Sequence, residues 1–376
     1  MSKILFYRND WNANVNRRMA DSYGGVGYYR IVKPAQFTKG HEIKVVGQSL
    51  GKKGDTPEKK WSRIFKENDV FWTTYFYNAE EASCMFYHRD KFKKKVVIDL
   101  DDDYLAILPT HPLYDVMKPT KKNRAITSTI LSFADAITVS TEPLKQKIAQ
   151  HIRKVHGIEK PIFVVPNMND IKDWDFKPAK KHKDKIVIGY AGSNSHNDDL
   201  EMVLPHIAKI MDKYPNVYFE SIGAVTLDFA KKVFYPFSQS ARLRCDFLPA
   251  TSTFVEYPEY FATMKWDIAI APLVDSEFTR SKSHIKFLEY SMYKIPTIAS
   301  RVYPYYVPSF GRDVIIHEHN GLLVKPSEWV SALEDLILNE EKRKSLGENA
   351  YEHVKKNWGY DKEFATAIDE VVKSLS

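Results

Sequence analysis

Along the chain, short runs of apolar residues alternate with longer stretches in which apolar positions recur every three or four residues. In the first half, the runs at 4–7, 43–46, 70–73, 96–100, 136–139 and 162–165 have the length and β-branched content of buried strands. Between them, 28–37, 79–91, 123–134 and 143–151 carry helical spacing. A polar, lysine-rich segment at 170–184, with Pro178 inside it, interrupts the pattern and marks a domain boundary. Alternation then resumes, with strands expected at 186–190, 217–221, 242–247, 268–271 and 297–299. Helices are expected near 200–214, 257–264 and 282–293, and three amphipathic helices near 327–339, 341–357 and 361–374 close the chain. Strand–helix alternation on both sides of the boundary predicts an α/β protein with two doubly wound parallel sheets.

The densest chemistry falls around one strand–loop–helix–strand unit. Asp267-Ile-Ala-Ile-Ala-Pro-Leu273 reads as a buried strand, and Arg280-Ser-Lys-Ser-His-Ile-Lys-Phe-Leu-Glu289 as a loop entering a helix. Tyr293-Lys-Ile-Pro-Thr-Ile-Ala-Ser300 supplies the next strand. Loops after parallel strands face a ligand crevice, so Arg280, Lys282, Ser283 and Lys286 suit phosphate there, and Glu289 suits ribose hydroxyls.

These residues resemble the donor-site motif of retaining glycosyltransferases of the GT-B fold, the group 1 or family 4-like enzymes. There a K-x-x-E spacing precedes an Ile-Pro-x-Ile-Ala-Ser strand. Asn320-Gly-Leu-Leu-Val324 and Val165-Pro-Asn-Met-Asn-Asp170 are similar to two further motifs of that family. The resemblance implies two Rossmann-like domains facing across a cleft. It implies an acceptor domain at 1–169, a linker at 170–184, a donor domain at 185–358, and a last helix at 359–376 returning to the first domain. The implied substrate is a nucleotide-diphosphate sugar, UDP- or GDP-linked, with transfer that retains anomeric configuration. Lys282 and Arg280 would stabilise the leaving diphosphate, Lys286 and Ser283 would bind it, and Glu289 would anchor ribose. Two departures stand out. Ser281 replaces a second family glutamate, and Gly192-Ser-Asn-Ser-His-Asn-Asp198 lacks the family's Arg and Lys, leaving His196 alone there.

Other clusters fall at the same mouth. Gly24-Gly-Val-Gly27 follows the first strand, so Gly25 and Gly27 would let backbone approach the donor, with Arg30 facing the acceptor. Asp99-Leu-Asp-Asp-Asp103 ends the fourth strand. Carboxylates this close repel one another unless cations stand nearby. Asp101 is the expected partner of the acceptor hydroxyl, with Asp102 and Asp103 as acceptor contacts. A magnesium site on these carboxylates and simple helix capping are the competing readings, and the resemblance favours protein cations over metal. His111, in Pro109-Thr-His-Pro112, would reach the sugar. Gly192, Ser193 and Asn194 would lie at the β-phosphate, while Asp198 and Asp199 read as a helix cap.

Charge shapes the acceptor reading. Residues 1–170 hold 28 Lys and Arg against 19 Asp and Glu, and the remainder holds 27 against 29. A basic first domain suits an anionic acceptor: a glycan, a glycolipid, or modified DNA. The Gly-Gly-Val-Gly-Tyr-Tyr-Arg and Asp-Leu-Asp-Asp-Asp-Tyr patterns are similar to bacteriophage enzymes as well as bacterial cell-surface ones. Trp61, Trp72, Tyr75 and Tyr77 would then stack on an extruded hydroxymethylated base, unless they are core residues. A nucleotide-sugar epimerase and a non-catalytic nucleotide-sugar-binding protein of the same fold are the alternatives to transfer. No cofactor is expected. Cys84 and Cys245 read as free thiols of a reducing compartment, the cytoplasm of a bacterium or of a phage-infected one. No run reaches a membrane span, so membrane contact would be peripheral.

Overall fold

A computed structural model describes residues 1–8, 23–47, 50–52, 54–75, 78–109, 111, 113–223, 237–251 and 253–375, with the backbone alone for Asn194. Tyr77, Thr110 and Pro112, singled out from the sequence, lie outside the described residues. Among the described residues, twelve strands form two wholly parallel sheets of six. The first holds β1 (Lys3–Tyr7), β2 (Glu42–Val46), β3 (Val70–Thr74), β4 (Lys95–Leu100), β5 (Ala136–Val139) and β6 (Ile162–Val164), in the order β2-β1-β3-β4-β5-β6. The second holds β7 (Ile186–Ala191), β8 (Val217–Ile222), β9 (Cys245–Leu248), β10 (Ile268–Ala271), β11 (Thr297–Ser300) and β12 (Leu322–Val324), in the order β12-β11-β10-β7-β8-β9. These are two Rossmann-like domains.

Strand order reverses between β1 and β3 in one sheet and between β7 and β10 in the other. Ligand crevices open beyond the carboxyl ends of strands at such reversals. The loops after β1, β7 and β10 therefore converge, and they carry Gly24–Tyr29, Gly192–His196 and Leu273–Lys286. Close packing supports this frame. A Cβ on Gly189 would sit 1.8 Å from the Trp266 ring, so only glycine lets that ring lie against β7.

Four differences from the pattern reading have physical causes. The helix Pro57–Glu67 lies between two expected strands, where the pattern assigns no element. Thr56 caps it, and Trp61, Ile64 and Phe65 bury a narrow stripe among many charges. The ninth strand begins at Cys245, because Gln239–Arg242 forms a helical turn capped by Ser238. Leu322–Val324 is a strand that pairs with β11, three residues being too short to stand out as a run. The polar segment after residue 170 opens with the turn Ile171–Trp174, whose buried Trp174 packs on Phe254, Tyr257 and Phe261.

The two domains are joined by packing as well as by chain. Phe278, from the second, sits in the core of the first beside Leu105 and Leu144. Phe364, Ile368 and Val371 of the last helix, Lys362–Lys373, pack on Ile4, Phe6 and Val97 of the first sheet. Trp61, Trp72 and Tyr75 are buried core residues at 2%, 0% and 7% exposure, so none is placed to stack on a nucleic-acid base.

Candidate active site

A cavity of about 620 Å³ opens where the loops converge. From the first domain it is lined by Gly25, Tyr29, Arg30, Asp101, Asp102 and Asn167. From the second it is lined by Gly192, Ser193, His196, Lys282, Ser283, Lys286 and Glu289, with Ile222, Gly223, Thr251 and Phe254 extending one end.

Lys282 and Ser283 lie in the loop between the short turn Thr279–Ser281 and the helix Ile285–Ser291. The Lys282 ammonium crosses the cleft to Asp102, at 2.9 and 3.2 Å from its two oxygens. Asn167 donates to the Ser283 hydroxyl at 2.9 Å. Lys286 and Glu289 lie on one face of the following helix and are buried at 8% exposure each. Burial and the Lys282 charge bring Lys286 down to about 8, against the pull of Asp199 and Glu289. Burial raises Glu289 to about 7, opposed by Lys286 and by the hydroxyls of Tyr29 and Tyr257. Those hydroxyls donate to its two oxygens at 3.2 Å each.

The aspartate run after β4 is divided among separate partners. Asp99 accepts two hydrogen bonds from the buried Arg30 guanidinium, at 2.7 and 3.0 Å. Asp101 accepts from the Tyr104 hydroxyl at 2.9 Å. Burial and the carboxylates of Asp102 and Asp99 push Asp101 up to about 6. Asp102 pairs with Lys282, and Asp103 pairs with Lys147 while capping the Leu105 N–H. The repulsion anticipated from the sequence is thus relieved by cations for three of the four and by a hydroxyl for Asp101.

Some expected residues do not line the cavity. Arg280 is largely exposed and bound twice by Asp275, at 2.6 and 2.8 Å. Asp103 is fully buried beneath the loop. Gly27 is buried inside the helical turn that follows Gly24. His111 stands behind Asp102 at 3.9 Å, against the Phe278 ring, and burial lowers its basicity. Arg30 touches the cavity, but Asp99, Asn167 and the Val165 carbonyl occupy its donors, which makes it a brace.

Sequence reading gave no role to Tyr29, Tyr257 or Asn167. Tyr29 sits in a π-helical turn, Tyr28–Val32, a local widening that no hydrophobic period reveals. Its place between Gly27 and Arg30 was the available signal. Among the described residues, no group of three His, Cys, Asp or Glu side chains is arranged to hold a metal ion. No helix among them is long and apolar enough to cross a membrane.

Residues 170–353 match the family described as glycosyl transferases group 1. The matched stretch, just under half of the chain, supplies Lys282 and Lys286 of the cavity wall. The chain is similar in fold to Alr3699/HepE of Anabaena, solved with UDP-glucose, at 13% identity and a TM-score of 0.66 over 100% of both chains. It is similar also to a glycosyltransferase from Rickettsia africae, at 13% identity and a TM-score of 0.65 over 99% of this chain and 97% of that one. TarM aligns at 13% identity and a TM-score of 0.59, over 85% of this chain and 58% of its own. These likenesses establish the GT-B fold. The sequence matches no curated protein.

Proposed function

We propose that this protein transfers a hexosyl group from a UDP-sugar to a hydroxyl of an anionic glycan or glycolipid, with retention at the anomeric carbon. One observation carries the reading: Lys282, Lys286 and Glu289 meet Asp101 and Asp102 across one cavity at the strand-order reversals. A diphosphate gains charge as the glycosidic bond breaks, and two preorganised ammonium groups favour that state over the bound donor. Ribose hydroxyls replace those of Tyr29 and Tyr257 at Glu289. Asp101 receives the acceptor hydroxyl and orients it toward the anomeric carbon. The departing phosphate oxygen takes the acceptor's proton, so no covalent nucleophile is needed. Neutralising the leaving group is assigned to the lysines, without a metal. The UDP-glucose and UDP complexes of HepE favour uridine over guanosine. The K-x-x-E spacing of Lys286 and Glu289 supports retention. A glycan or glycolipid is preferred to DNA because Trp61, Trp72 and Tyr75, which would stack on an extruded base, lie in the core.

The test is product analysis by NMR after incubation with a UDP-α-sugar and a panel of anionic glycans, lipid-linked acceptors and hydroxymethylated DNA. An α-linked glycan or glycolipid product is expected. A β-linkage would remove retention, and sugar found only on DNA would overturn the acceptor assignment.

A further inference from the structure

His196 on the cavity wall, with Asp199 behind it, has no part in the scheme above. After β7 the chain passes through the turn Asn194–His196 into the helix Asn197–Lys213, which places His196 and Asp199 on one face. Asp199 is buried and His196 mostly so, with side-chain exposures of 5% and 11%. His196 Nδ1 lies 2.7 Å from Asp199 Oδ2, and His196 Nε2 lies 3.2 Å from Lys286 Nζ. Asp199 Oδ1 accepts the Val274 N–H at 2.7 Å.

Hydrogen positions in this row follow from the partners. An ammonium group only donates, so His196 Nε2 is bare and accepts from Lys286. Nδ1 then carries the hydrogen and donates to Asp199, whose other oxygen is fixed by Val274. The charged or titratable groups facing the imidazole are Lys286 and Lys282 from the loop and helix after β10, His111 from the first domain, and Asp199 on its own helix. Burial first, then the two ammonium groups, keeps the ring neutral.

We propose that His196 and Asp199 are positioning residues for Lys286: Asp199 fixes the His196 tautomer, and His196 aims the Lys286 ammonium at the donor diphosphate. The proposal deepens the function argued above and rests on it. It also accounts for a phosphate site in which the loop after β7 carries His196 and no arginine or lysine. His196 acts there through Lys286 and adds no charge of its own.

Asp199→Asn is the informative substitution. Because the Val274 N–H needs an acceptor, the new amide keeps its oxygen there and turns its NH2 toward His196. Nδ1 must then accept, Nε2 gains the hydrogen, and donor faces donor at Lys286. His196→Ala removes the acceptor, whereas His196→Gln puts a side-chain oxygen near the position of Nε2. We expect Asp199→Asn and His196→Ala to lower kcat about tenfold or more with little change in donor KM. The alkaline limb of activity should move to lower pH in both, since the charged lysine has lost its acceptor and, in Asp199→Asn, a nearby carboxylate as well. His196→Gln should restore most of kcat and the limb. Wild-type kcat in Asp199→Asn, or a His196→Ala defect that tracks melting temperature and is not relieved by His196→Gln, would overturn the proposal. A second readout separates it from failure of the transferase reading: the Lys286 titration in ligand-free, 15N-lysine-labelled protein. An acid shift in His196→Ala, which keeps the Asp199 charge, that His196→Gln lacks supports the positioning role even if no UDP-sugar is consumed, and an unmoved titration contradicts it.

Discussion

Glu289 shows how one side chain ties stability to function. Its carboxyl is raised to about 7 by burial, so the folded state favours the protonated form. The stabilisation from that proton is complete below the unfolded pKa and is lost as pH rises through about 7. Glu289→Gln should therefore raise the melting temperature at pH 8 relative to wild type and leave it nearly unchanged at pH 4, as thermal unfolding at both values will show. The same substitution should weaken UDP binding about tenfold, from loss of a charge-assisted hydrogen bond. Lys282→Ala, by contrast, should lower kcat with little effect on donor KM, because its charge matters most when the diphosphate departs. The pH profile of kcat/KM should be bell-shaped, rising as Asp101 and Glu289 ionise near 6 and 7 and falling as Lys286 deprotonates near 8. Asp101→Asn should remove the lower part of the rising limb. Arg30 separates bracing from binding. Arg30→Ala leaves Asp99 buried without its cation and should cost about 3–5 kcal/mol in urea unfolding.

At the scale of elements, the helix Ile285–Ser291 is the part on which the site depends most. The turn after it, with Lys294 at φ 56°, lies under the helix Glu340–Asn357, and a Cβ on Gly347 would meet the Lys294 carbonyl at 2.1 Å. Gly347→Ala should cost about 1–3 kcal/mol through overpacking and should weaken donor binding by tilting Lys286 and Glu289, read by melting temperature and UDP titration. Buried parallel strands were legible because a continuous apolar run needs no partner to declare itself, as at Ala136–Val139 and Ile268–Ala271. Pro57–Glu67 was not legible, since three buried side chains among lysines make a weak stripe. Lys282, Lys286 and Glu289 could be grouped because they share one loop and helix. The Tyr29–Glu289 and Lys282–Asp102 contacts span 260 and 180 residues of sequence, and spacing carries no information at such separations. Arg280 shows the opposite failure: a cation in the expected loop, turned outward by Asp275 five positions earlier.

For the whole molecule, the two domains meet through the site itself. Lys282 binds Asp102, Thr141 donates to the Ser281 carbonyl at 2.8 Å, and Asn167 reaches Ser283. Donor binding and the approach of the domains therefore involve the same side chains, which suits a cleft that excludes water during transfer. The two-domain architecture was readable from strand–helix alternation. The acceptor was not, because exposed lysines record net charge but not the shape of what they meet. The most direct measurement is release of UDP from UDP-sugars in the presence of acceptor, by wild type and by the Lys286→Ala and Glu289→Ala variants. The account predicts turnover by wild type, and loss of turnover with weakened UDP binding in both variants while they stay folded. Turnover unchanged in both variants would place the chemistry outside this cavity and contradict it.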